Sequence, residues 1–139
     1  MQKLLKMTLA MALGLGAVVL AHTEMSTAAE EKTPSVSVIM KKSFGKDGYK
    51  TSITTAAKDA KWDAAVKMAK EWVELATVMG KNTPPKGEAK SWETQCSKFC
   101  DSTKATLKAT EDKDAEAVEK ALKTIDCGAC HRPHRLPKK

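Results

Sequence analysis

Four cysteines and three histidines carry most of the reactive side-chain chemistry of this 139-residue chain. Two of the cysteines and one histidine fall within five residues, Cys127-Gly128-Ala129-Cys130-His131. On a helix, positions i, i+3 and i+4 share a face, so both thiols and the imidazole would point the same way. That is the geometry for covalent haem c attachment. Two thiols add to two vinyl groups, and the adjacent imidazole reaches the iron as proximal ligand. Gly128 and Ala129 are small, which lets a porphyrin edge lie close to the backbone. Two rival chemistries use the same thiols. A thioredoxin-like dithiol shares the C-x-x-C spacing but belongs in a βαβ context, and no strand pattern is visible. A structural zinc site built from Cys96, Cys100, Cys127 and Cys130 is the other. It leaves His131 without a purpose, and an oxidising compartment disfavours free thiolates.

The compartment is read from the other end of the chain. Lys3 and Lys6 precede an uncharged apolar run from Met7 to Ala21, and Val19 and Ala21 supply fairly small residues for a signal peptidase. This pattern is a secretory signal rather than a membrane span, because crossing the hydrocarbon takes about 20 apolar residues. The expected organisation is a signal peptide over 1–21, a polar disordered tether over 22–32 and one domain over 33–139. The expected location is the periplasm, with no membrane insertion once the signal is cleaved.

The domain must hold the motif with helices. Thr33-Pro34 offers an N-cap and a first helical residue, followed by Val36, Met40 and Phe44 on one face with Ile39 alongside. Gly45 and Gly48 weaken that helix, which either continues or breaks and resumes as Tyr49–Lys58. Trp62, Ala65, Val66, Ala69, Trp72, Val73, Ala76 and Met79 form a second stripe at helical spacing, stopped by Gly80 and by Pro84-Pro85. A third stripe runs Trp92, Cys96, Phe99, Cys100, Thr103, Leu107. A fourth runs Ala115, Val118, Leu122, Ile125, Ala129, with acids at 111, 112 and 114 suited to a helix N-terminus. The expected fold is all-α, an up-down antiparallel four-helix bundle with haem near the C-terminus.

The signal peptide, the four helices, the Pro-Pro-Lys-Gly loop followed by Ser91-Trp92, and a late C-x-x-C-H together resemble the class II cytochromes c. The likeness spans roughly residues 34–135. It implies that Cys127 and Cys130 form the haem thioethers, that His131 is the proximal iron ligand, and that the distal side faces the first helix. Met40 matches the distal position at which low-spin members bind iron through a Met. Simple core packing is the other reading of Met40. The family often has an Arg one turn before that position, and here Val36 stands there, so a first-helix propionate partner is not implied. Arg135 matches a basic position of the family and is a candidate propionate partner; Arg132 is another, by the affinity of guanidinium for carboxylates. His134 reads as a solvated tail residue. Cys96 and Cys100 sit i, i+4 with Cα atoms about 6 Å apart, so an intrahelical disulfide and buried thiols both stay open. Trp62, Trp72 and Trp92 read as bundle core, a place from which one of them could flank the haem.

The function expected from these residues is one-electron transfer by a periplasmic monohaem cytochrome, not an enzyme, since no carboxylate pair, nucleophile triad or phosphate-binding loop is present. The alternative is a five-coordinate haem that binds NO or CO, which requires Met40 not to ligate iron. Lys and Arg number 24 against 17 Asp and Glu, a net charge of +7. That excess suits an acidic redox partner; an exported bundle with lysines on all faces does not suit nucleic acid. The family likeness also admits a homodimer. Only six aromatic residues are present, three Trp, one Tyr and two Phe, which fits a core partly filled by a porphyrin.

Overall fold

The computed structural model describes residues 33–137. The expected signal peptide and tether lie outside them. Six helices follow one another: α1 (Val36–Phe44), α2 (Tyr49–Lys58), α3 (Trp62–Met79), α4 (Ala89–Glu111), α5 (Ala115–Lys123) and α6 (Cys127–His134). There is no strand among the described residues, and no helix among them is long and apolar enough to cross a membrane.

The cap of α1 is Ser35, two residues later than the Thr33 expected. Ser35 Oγ accepts from the Val38 N–H at 3.4 Å. Ser is as good a cap as Thr, and placing Pro34 ahead of the cap leaves its carbonyl free to accept from Asn82 Nδ2 at 3.2 Å. The glycines after Phe44 do break the helix. A Cβ on buried Gly48 would lie 2.8 Å from Gly45 N and 2.9 Å from Lys42 O, so the elbow between α1 and α2 closes only with glycine there.

Helix α3 buries Ala65, Ala69, Trp72, Ala76 and Met79 of its expected stripe and leaves Trp62, Val66 and Val73 half-buried. Trp72 is fully buried, and its indole N–H donates to Ser43 Oγ at 2.9 Å, tying α3 to α1. Helix α4 adds Trp92, Cys96 and Phe99, then a polar row of the expected Thr103 with the unexpected Thr106 and Thr110, all fully buried. Each hydroxyl donates back to a carbonyl of its own helix, at 2.8, 2.9 and 2.7 Å. The row is therefore satisfied without a partner elsewhere.

The fourth stripe is not one helix. It splits into α5, capped by Asp114 through the Ala117 N–H at 2.9 Å, and α6, capped by Asp126 through the Ala129 N–H at 2.9 Å. The Thr124 hydroxyl donates to the Ala121 carbonyl at 2.7 Å and helps close α5. The C-x-x-C-H motif thus occupies a short helix of its own rather than the end of a long one. Helix α4 packs against α3, α5 and α6; α2 against α3 and α5; and α1 against α2 and α3. Ile39, Ile53, Trp72, Val118 and Leu122 meet in the core between them.

Candidate functional site

A pocket of about 290 Å³ opens between α1, α4 and α6. Its α6 wall is the motif itself, Cys127, Ala129, Cys130 and His131. Asp126 caps that helix and starts it at Cys127, and this sets the two thiols and the imidazole on one face. From α1 come Met40 and Phe44, from α3 Met79, and from α4 Phe99 with Gln95, Lys98 and Ser102 at the polar margin. Ile125, in the turn between α5 and α6, completes the apolar lining. Cys127 and His131 are exposed; Cys130 and Met40 are half-buried.

All four cysteines are free thiols. Burial pushes the Cys130 thiol up, and the neighbouring Cys127 adds to the effect. Among the described residues His131 makes no side-chain hydrogen bond, and Cys127 Sγ has only a weak contact, 3.9 Å to the Ile125 carbonyl. The donor set around the pocket is therefore two unbridged thiols, one imidazole and one thioether across an apolar space. Soft sulfur and imidazole suit a haem held by thioethers and axial ligands. They do not suit a hard, oxygen-seeking cation.

Cys96 and Cys100 do not line this pocket. They line a second cleft, of about 240 Å³, beside Thr77 and Gly80 of the α3 end. Cys100 Sγ lies 3.6 Å from Thr77 Oγ1. Cys96 is buried, and its thiol is pushed up to about 12, first by burial and then by the nearness of Cys130. Among the described residues no three His, Cys, Asp or Glu side chains converge to hold a metal ion. The four thiols of the zinc reading are thus not brought together.

The expected basic groups take other places. Arg135 is exposed and does not line the pocket. Arg132 turns back, its Nε donating to the Gly128 carbonyl at 3.2 Å. The cation that does line the pocket is Lys98, one residue before Phe99 on α4. Its position next to a core residue was the available signal. No tryptophan lines the pocket; Phe44 and Phe99 flank it instead, each packed on Trp72 with ring centroids 5.9 and 6.0 Å away. His134, expected in solvent, is 2 % exposed. Its ring lies between Lys86 and Ser91, against Trp92, because the loop before α4 folds over it.

Comparison of the chain with protein-family models, with curated proteins and with solved structures gave no match.

Proposed function

We propose that this protein is a periplasmic monohaem c-type cytochrome that carries single electrons. The observation that carries the reading is that Cys127, Cys130, His131 and Met40, from two separate helices, line one apolar pocket. Cys127 and Cys130 would hold the haem as thioethers, His131 would be the proximal iron ligand and Met40 the distal one. When bound, the haem supplies the one-electron chemistry. The chain's own part would be to hold His131 and Met40 toward the pocket and exclude water with Phe44, Phe99, Met79 and Ile125. Lys98 at the margin is better placed than Arg135 to face a propionate.

The helix contacts support an up-down antiparallel bundle. Taking α1 with α2 and α5 with α6, the chain has four arms. Each arm packs on the next in sequence, and α2 against α5 closes the ring. Exposed Lys41 and Lys42 follow Met40 directly, which supports docking of an acidic redox partner.

The test is the optical spectrum of protein matured with haem, oxidised and reduced, in wild type and Met40→Ala. Wild type should show covalent haem, a low-spin spectrum and a Met-to-iron band when oxidised; Met40→Ala should lose the band. A high-spin wild type would assign the pocket to NO or CO binding instead. Absence of covalent haem would overturn the reading.

A further inference from the structure

A histidine that ligates a metal nearly always gives its second ring nitrogen to a carbonyl, carboxylate or water, which fixes its tautomer and orientation. His131 has no such protein partner among the described residues. Its direction is therefore set by the placement of α6 as a whole. Helix α6 has eight residues, too few to be stable alone. Asp126 holds its first turn, and His134 holds its last.

The grip of His134 is specific. Its Nδ1 lies 2.8 Å from the Lys86 carbonyl. A carbonyl only accepts, so Nδ1 carries the hydrogen, and in the neutral ring Nε2 accepts from the Ser91 hydroxyl at 3.1 Å. Gly87 presses on the same spot from the loop. It has φ +82°, and a Cβ there would lie 2.8 Å from the Pro133 carbonyl oxygen and 3.0 Å from His134 Nδ1. The tie continues toward α1. Trp92 meets the His134 ring edge-on at 5.3 Å and donates its indole N–H to the Asn82 carbonyl at 2.8 Å. Asn82 Nδ2 donates in turn to the Pro34 carbonyl at 3.2 Å, just ahead of the α1 cap. A series of contacts, one ring-to-ring and two hydrogen-bonded, thus runs from the helix that carries His131 to the residue just ahead of the cap of the helix that carries Met40.

We propose, resting on the haem reading of the pocket, that His134 is a positioning residue that sets the placement of His131 relative to Met40 by locking α6 to the Lys86–Ser91 segment. The lock works through two ring hydrogen bonds and the close approach of Gly87, and it touches neither the iron nor the pocket.

Three full-length variants matured with haem test it. His134→Phe keeps a ring of similar volume and loses both bonds. His134→Asn keeps a donor near the Nδ1 position. Gly87→Ala pushes α6 from the loop side with the His134 side chain itself unchanged. The readouts are the Met-to-iron band and the affinity for added imidazole, which competes with Met40. His134→Phe should keep covalent haem, weaken the band and bind imidazole about tenfold more tightly, the equivalent of about one net hydrogen bond. Gly87→Ala should do the same, and His134→Asn should recover most of the wild-type behaviour. Unchanged band and affinity in both His134→Phe and Gly87→Ala overturn the proposal and leave the haem reading intact. Equal losses in His134→Phe and His134→Asn reduce His134 to packing and also overturn it. Should His134→Phe lose its helical circular dichroism, Gly87→Ala decides. A wild type without covalent haem, or without the Met-to-iron band, removes both this proposal and the Met40 ligation it builds on.

Discussion

The two cysteine pairs look alike on paper. Cys96 and Cys100 are four residues apart on α4; Cys127 and Cys130 are three apart on α6. Their settings differ in every respect that matters to chemistry. The α4 pair sits on a 23-residue helix packed on both sides, with one thiol in the core and pushed up to about 12. The α6 pair sits on an eight-residue helix at the edge of an apolar pocket, with one thiol exposed and the other half-buried. A short, externally held helix presents its thiols to open space, while a long packed helix buries one of its own. Spacing proposes a site; the helix that bears it decides.

The sharpest break of that contrast is Cys130→Ala against Cys96→Ala. If the pocket holds haem as proposed, the first should abolish two-thioether attachment, seen as a changed reduced spectrum because one vinyl group stays unsaturated. The second should leave attachment intact. Next comes reactivity of the unattached protein. A Cys96 thiol near 12 rather than the ordinary 9.0 has about a thousandfold less thiolate at pH 8. Timed alkylation with mass spectrometry should therefore label Cys127 long before Cys96.

The same shift has a stability consequence. The folded thiol is raised above its unfolded value, so its contribution is fully present below pH 9 and is lost as pH rises from 9 toward 12. Denaturant melts across that window should show a steeper alkaline decline in wild type than in Cys96→Ala. Smaller again is Asp126→Ala, which removes the α6 cap and should cost about 1 kcal/mol, read as faster amide exchange in residues 127–134. Smallest is Cys100→Ser. Its side chain is only half-buried and touches Thr77, so the unfolding midpoint should shift by the equivalent of about 0.5 kcal/mol or less.

Much of the site was legible because its chemistry is local. The spacing of Cys127, Cys130 and His131 needs only a helical turn to converge; periodicity put Met40 on one face of α1 with Phe44, and its place opposite the motif was implied by the family resemblance alone. The α3 stripe was legible from its local periodicity. The break before the motif was hidden, because Leu122, Ile125 and Ala129 keep helical spacing straight through it, while the deciding residue, Asp126, looks like any surface acid until its carboxylate caps Ala129. His134 was illegible for a different reason. Its burial depends on Lys86, Gly87 and Ser91, distant in sequence, and on a positive φ at Gly87 that only the folded loop requires. Thr103 was legible from the third stripe, whereas Thr106 and Thr110 carried no apolar signal; back-bonding to their own helix removes the usual cost of burying them.

The Trp72 indole has a further use. It is fully buried, and Phe44 and Phe99 of the pocket lining pack on it with ring centroids 5.9 and 6.0 Å away. Indole fluorescence is quenched by energy transfer to any strongly absorbing neighbour. Trp72 is therefore a lamp set behind the pocket wall: its emission should dim when an absorbing occupant arrives, which makes maturation of the protein visible in real time without a label.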